Sequence, residues 1–430
     1  MPGKTAPEAH VIKFTNCRIV KGDSLVDQDV WIDSTSGKIL RDQEAFYGLH
    51  MSPDEVIDLE GRILAPGLID CQLNGAQGFD FSVAHATKAE YDEGLRAVNM
   101  GLARTGVTSY LPTVVSSTPE VYHKVLPSLG PSRDKHRSED GAESLGAHVE
   151  GPFLSPGRNG IHKTEVLRLA SSPEDLVTCY GQDNLYGPSK TIRLITAAPE
   201  VGKMLNNIPH ITDQNIIYSI GHSDATYEQA LDATDAGATM ITHLFNAMRP
   251  FYHRNPGIFG LLGQQSEHPR RPFYGVIADG IHLHPTSIRI AYNAHPEGLV
   301  LVTDAMRLCG LPDGIYEWTN GERIVKTGAR LTLEGSDKIA GSSATLIECV
   351  NNFRRWSGAS TAQALNAASK TPARLLGLQG VKGELSAGAD ADFIVLEDED
   401  VQDTGRTLVL KQVWKRGARI WDTGKDGAVV

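Results

Sequence analysis

The segment APGLIDCQLNG, residues 65–75, decides the fold. A Pro-Gly, an apolar pair and an Asp lead into a short apolar run, the pattern of entry into a buried strand. Read with the two residues before it, this gives ILAPGLIDCQL, residues 63–73, the first of eight strand-like runs. The others are VTSYLPTVV (107–115), LGAHVE (145–150), IRLITAAP (192–199), NIIYSIGH (215–222), ATMITHL (238–244), FYGVIAD (273–279) and GLVLVTD (298–304). Helical patterns lie between several of them, including KAEYDEGLRAVNMGLARTG (88–106), TYEQALDATDAG (226–237) and PTSIRIAYNAH (285–295). Eight β-α alternations predict an α/β fold of the (β/α)8 TIM-barrel type.

Both ends of the chain read differently. FTNCRIV, DVWID and GKIL come before the barrel, and DFIVLED and TLVLKQVWKRGARIW come after it. All are short strand patterns with polar breaks. They predict one small β-sandwich domain formed by the two termini. The expected boundaries are 1–64 and 385–430 for the β domain and 65–384 for the barrel. The polar run at 130–144 is read as a loop, and the segments at 344–358 and 360–378 as late helices.

Polar side chains at the C-terminal ends of barrel strands face the active site. Glu150 ends the third run, His222 the fifth, His243 the sixth and Asp304 the eighth, while the seventh leads to Asp279 and His282. A lone strand-end His is a common packing residue, and an Asp before Ala is a common helix N-cap. Several such groups at one end of successive strands point instead to a site. One carboxylate and two imidazoles are the ligand set of a catalytic zinc, with one position left for water. Asp304 is then placed as general base and acid.

The strings HVEGPF, GHSDAT, THLFNAM, ADGIH and LVTDAM, in that order, resemble the N-acetylglucosamine-6-phosphate deacetylases of the amidohydrolase superfamily. The resemblance runs over nearly the whole chain, including GELSAGADADFIVL near the C-terminus. It implies deacetylation of N-acetylglucosamine 6-phosphate to glucosamine 6-phosphate and acetate, in amino-sugar catabolism or salvage. Many amidohydrolases carry His-x-His on the first strand to hold a second metal. Here those positions are Gln72 and Asn74, which resemble the single-metal form. The resemblance therefore implies one divalent ion on Glu150, His222 and His243. Zinc is the default, and cobalt, manganese, iron and nickel are open alternatives. Gln72 and Asn74 either order the site by hydrogen bonds or fill the barrel mouth.

Carried over by position, His162 stabilises the oxyanion. Ile161, Asn246 and Ala247 contact substrate, and Ile339, Ala340 and Gly341 form a substrate-facing wall. Arg254 and His282 hold the 6-phosphate, a task that suits the planar fork of Arg. A homodimer is implied as well. Two rival readings are a cyclic-amide hydrolase of the dihydropyrimidinase kind and a non-catalytic barrel scaffold. The first needs a two-metal site with a modified Lys. The second usually loses its ligands or its base.

The 430 residues suit a large barrel with a minor domain. A net charge of −11 argues against a nucleic-acid or anionic-membrane surface. Five scattered cysteines read as reduced thiols, and the first residues lack the apolar core of a secretory signal. The expected location is the cytosol, the expected ligand a phosphosugar, with no nucleic-acid or membrane partner.

Overall fold

The structure, a computed structural model, describes residues 9–41, 52–133, 136–265, 271–318, 321–402 and 404–426. The first eight residues of the segment read for a secretory signal lie outside this set, as do parts of the expected terminal domain and two residues of the 130–144 loop.

Eight parallel strands form the barrel. They are β1 (Leu68–Leu73), β2 (Val107–Val115), β3 (Ala147–Glu150), β4 (Ile192–Ala197), β5 (Ile217–Ile220), β6 (Met240–Ile241), β7 (Phe273–Ile277) and β8 (Leu299–Val302). Each pairs with the next in parallel register. The ring closes just beyond β8. Leu73 bridges Ala305, the Asp304 N–H donates to the Gln72 carbonyl at 2.9 Å, and the Asn74 N–H donates to the Ala305 carbonyl at 2.9 Å. Closure thus depends on the residues that flank the expected base.

One buried apolar cluster draws Leu111, Leu194, Met240, Ile277 and Val302 from five different strands, so it fills the barrel interior. Helices cover the outside, many with the caps their sequences specify. The helix Lys88–Ala103 starts at a Thr87–Glu90 capping box, and Tyr227–Ala236 at a Thr226–Gln229 box.

The terminal segments build two sheets. A four-stranded sheet has the order Lys38–Leu40, Val30–Asp33, Val11–Thr15, Glu55–Asp58. A six-stranded sheet mixes both ends of the chain, with Phe393–Val401 antiparallel to Ile63–Pro66. Phe14, Ile32, Phe393 and Trp414 share one buried cluster across the two sheets. The run ILAPGLIDCQL, expected as one strand, is two. Ile63–Pro66 belongs to the terminal sheet, and the chain passes Gly67 into β1. A Cβ at Gly67 would stand 2.2 Å from Thr108 Oγ1, so the crossing point has room only for glycine.

Two further features escaped the sequence reading. Gly314–Glu317, Arg323–Thr327, Arg330–Leu333 and Ile339–Ser342 form a four-stranded antiparallel sheet inserted after β8. A buried ion cluster also ties the terminal sheets to the barrel. The ammonium groups of Lys382 and Lys415 each lie 2.9 Å from Glu143 Oε2 and 2.7 Å from Asp392 Oδ2.

Candidate active site

Five acidic or imidazole side chains lie at the C-terminal ends of five of the eight barrel strands. Glu150 closes β3. His222, His243, Asp279 and Asp304 each lie two residues past the last residue of β5, β6, β7 and β8. His222 (φ 49°), His243 (φ 26°) and Asp304 (φ 47°) sit in the left-handed region, which non-glycine residues adopt at a cost. The strand ends therefore turn sharply and aim these side chains inward.

A cavity of about 220 Å³ opens there, lined by Asn74, Glu150, Ile161, His162, His222, His243, Asn246, Ala247, His282, Asp304, Ile339 and Gly341 among others. Most of the residues singled out in the sequence are thus brought together. Gln72 lies just behind the lining: its Nε2 donates to Glu150 Oε1 at 3.0 Å and to Asp304 Oδ1 at 3.3 Å. Ala340 packs instead against the cluster of Leu308, Ile324 and Leu331. Arg254 is exposed and does not line the cavity. Val115, Gly160 and Met306 complete the lining and were missed in the sequence. None carries a charge or a spacing that marks it.

Three atoms of metal-ligating types converge at the floor. His243 Nε2 lies 3.0 Å from Glu150 Oε1 and 3.0 Å from His222 Nε2, and His222 Nε2 lies 3.1 Å from Glu150 Oε1. His222 Nδ1 is 2.8 Å from the Arg158 carbonyl, which can only accept. That fixes the hydrogen on Nδ1 and leaves Nε2 as a bare lone pair. A single proton can bridge only two of the three atoms. The triangle they form has its centre about 1.8 Å from each corner, so a cation with the ~2.0–2.2 Å bonds of zinc to N and O fits against one face of it. Burial would raise the pKa of Glu150, but the two imidazoles outweigh it and hold the carboxyl well below its usual range. The donor set suits a divalent metal.

His162 is the fourth imidazole-or-carboxylate group at this point. Glu150, His162 and His222 each offer one ligand atom within 4.8 Å of the others. Its hydrogen bonding separates it from the ligands. The backbone N–H of Ser116 donates to His162 Nδ1 at 3.2 Å, and the Ser116 hydroxyl lies 2.7 Å from the same atom. Nδ1 is therefore an acceptor, and Nε2 carries the hydrogen. Burial first, then the neighbouring His222, pushes this imidazole down to about 3, so it is neutral. His162 presents an N–H donor, whereas His222 presents a lone pair.

Asp304 stands beside the triangle. Asn74 Nδ2 donates to its Oδ1 at 2.7 Å. Burial first, then the Glu150 carboxylate, pushes its carboxyl up to about 6. A cation in the triangle would oppose that shift. His282 Nδ1 lies 2.7 Å from Asp279 Oδ2, and the same carboxylate also accepts the His282 and Ile281 backbone N–H groups through Oδ1. Burial lowers the pKa of His282, but Asp279 outweighs it and the net shift is upward, toward the cation.

The amidohydrolase family pattern matches residues 63–420. The chain is 45% identical to the N-acetylglucosamine-6-phosphate deacetylase of Homo sapiens, over 91% of this chain and 93% of that one. It is 42% identical to the enzyme of the same name from Danio rerio, over 97% and 98% of the two chains. In structure it resembles N-acetyl-D-glucosamine-6-phosphate deacetylase of Mycobacterium smegmatis, solved as a point mutant in complex with N-acetyl-D-glucosamine-6-phosphate. That match has a TM-score of 0.74 at 28% identity and covers 96% of this chain and 99% of that one. With the strand-end site and full-length similarity in agreement, the chain belongs to the N-acetylglucosamine-6-phosphate deacetylase family of amidohydrolases.

Proposed function

We propose that this protein hydrolyses the acetamide of N-acetylglucosamine 6-phosphate, giving glucosamine 6-phosphate and acetate. The observation that carries the reading is the composition of one small cavity. A carboxylate oxygen and two imidazole nitrogens converge in it, a neutral N–H donor lies beside them, and a buried carboxylate stands next to both.

A divalent cation held by Glu150, His222 and His243, zinc by donor type, supplies Lewis-acid polarisation of the amide and lowers the pKa of water. Asp304 takes the proton of the attacking water and later delivers it to the departing amine nitrogen. Gln72 and Asn74 keep the Asp304 carboxylate turned toward the reacting carbon, since both amides donate to its Oδ1. The Nε2–H of His162 donates to the amide oxygen as negative charge builds there. Asn246, Ala247, Ile161 and the Ile339–Gly341 strand shape the sugar's surroundings. His282 as a cation pairs with the phosphate, together with Arg254.

Arg254 lies outside the cavity of its own chain, and Phe251, Tyr252, Ile161 and Ile339 are large exposed apolar side chains. Both observations support a homodimer in which a second copy supplies Arg254. Among the described residues no helix is long and apolar enough to cross a membrane, and a cytosolic location belongs to the same proposal. So do the domain boundaries, expected at 64/65 and 384/385, the first of which moves to Gly67 because the strand Ile63–Pro66 pairs within the terminal sheet.

The test is acetate release from N-acetylglucosamine 6-phosphate and from the unphosphorylated sugar, on protein reconstituted with zinc. Fast release from the first and little from the second is expected. No release from either sugar by zinc-loaded protein would overturn the substrate.

A further inference from the structure

Below the ligand triangle runs a buried chain of polar side chains to which nothing above gives a role. His148 Nδ1 lies 3.2 Å from the Cys71 carbonyl and 3.3 Å from Thr113 Oγ1. His148 Nε2 lies 2.8 Å from Thr196 Oγ1. Thr196 Oγ1 is 2.6 Å from Thr242 Oγ1, which is 2.5 Å from Ser219 Oγ. His148, Thr196, Thr242 and Ser219 are all buried. They come from β3, β4, the end of β6 and β5.

The direction of every proton follows from one carbonyl. The Cys71 oxygen can only accept, so His148 Nδ1 carries the hydrogen and Nε2 is a lone pair. Thr196 must then donate to His148, Thr242 to Thr196, and Ser219 to Thr242. No member can rotate its hydroxyl without leaving a buried group unpaired, which costs about 1–3 kcal/mol.

The chain touches the backbone that carries the ligands. His148 is two residues before Glu150 on the same face of β3, and Thr242 directly precedes His243. Gly221 directly precedes His222, and a Cβ there would stand 2.7 Å from Thr196 Cγ2 and 2.7 Å from Thr242 Cβ. The turn into His222 therefore rests on these two threonines. His222 and His243 hold left-handed backbones, and such conformations persist only where the surroundings fix them.

We infer that His148, Thr196, Thr242 and Ser219 form a positioning floor that sets the His222 and His243 imidazoles for metal binding. The inference rests on the proposed metal site. None of these residues lines the cavity, so they act through the ligands.

The test measures the dissociation constant for zinc by competition with a chromophoric chelator, on folded protein, beside the melting temperature. Thr196→Val keeps the shape and breaks the chain, and Thr196→Ser keeps the hydroxyl. Thr196→Val is expected to weaken zinc binding about 10–100-fold, as loss of an outer hydrogen-bond partner does, and Thr196→Ser to stay within about threefold of the parent. If Thr196→Val fails to fold, Ser219→Ala, which removes only the terminal donor, decides, with zinc binding at least about threefold weaker expected. Unchanged zinc affinity in the folded variant overturns the inference and leaves the metal site intact. So does an equal loss in Thr196→Ser. A parent protein that binds no zinc overturns the metal site itself, and the floor falls with it.

Discussion

Replacing His162 by Leu separates two roles that distance alone does not. Glu150, His162 and His222 meet the spacing of a metal triad as well as Glu150, His222 and His243 do. The Ser116 N–H on Nδ1 assigns the Nε2 hydrogen to His162 and so makes it a donor. Loss of one preorganised donor to a developing oxyanion costs 10²–10³ in turnover, about 2.7–4 kcal/mol. His162→Leu is expected within that range. The Ser116 N–H loses its acceptor as well, and a stability loss of about 1–3 kcal/mol is expected alongside. His162→Gln, whose amide retains an N–H, should recover part of the turnover. The assay pairs steady-state kcat on N-acetylglucosamine 6-phosphate with a zinc titration. Zinc affinity should change little, because no ligand is lost. The pH profile should keep its shape, since a group pushed down to about 3 stays neutral above about pH 4. Zinc binding weakened about a hundredfold or more would refute the reasoning and make His162 a ligand.

Asp304→Asn should lower kcat by roughly 10²–10⁴ with zinc retained, and near-normal turnover would remove its acid-base role. Arg254→Ala should raise KM for the phosphorylated sugar and leave kcat nearly unchanged. An unaltered KM would take Arg254 out of phosphate binding. Asp392→Asn should destabilise the fold by about 3–5 kcal/mol in urea unfolding at pH 7, because Lys382 and Lys415 keep buried charges with one carboxylate fewer. Burial would raise the Asp392 carboxyl, but the two ammonium groups outweigh it and hold it far below its ordinary value. Its contribution is therefore present above the unfolded pKa of about 3.9 and lost as pH falls below it, so the variant should show a flatter acid limb. A loss under about 1 kcal/mol at pH 7 would contradict the buried-pair reading.

The barrel was legible because a buried parallel strand writes itself as an apolar run, and most of the runs here end in a side chain the site uses. The break inside ILAPGLIDCQL was not legible. Both halves read as buried strand, and only the neighbour of Gly67 shows that they serve different sheets. The inserted sheet was missed because its strands are short and half-exposed, with Ile315 and Ile339 turned outward. Lys382 and Lys415 carry no sequence mark that separates them from solvated charges. Their burial depends on Glu143, more than two hundred residues away in the chain. In the site, the acidic and imidazole side chains announced themselves at strand ends. The partners that decide their protonation did not: Ser116 and the Arg158 carbonyl are ordinary loop groups until folding brings them to His162 and His222.

Under the proposed function, an acidic chain with a net charge of −11 has to receive a phosphate dianion. Long-range attraction cannot do this, since beyond about 10 Å salt screens such fields at ordinary ionic strength. The answer lies in short-range pairing. Asp279 is buried and takes three hydrogen bonds within its own turn, two from backbone N–H groups and one from His282. Its carboxyl is lowered by that pairing despite the burial that opposes it. It remains an anion and keeps His282 biased toward the cation, with Nδ1 spoken for and Nε2 left for the ligand. The same turn therefore sets the buried Asp279 carboxylate behind His282, and the positive member of the pair is the one at the cavity wall. Asp304 faces that wall, and in a site with the metal present the carboxylates of Glu150 and Asp304 balance the ion's two charges. The Asp279–His282 pair is neutral as a whole, so under the proposed function Arg254 alone would add net positive charge at the mouth. On the proposed function, the phosphate is then held by short-range pairing at His282 and Arg254, while the barrel floor stays neutral enough for the amide to enter.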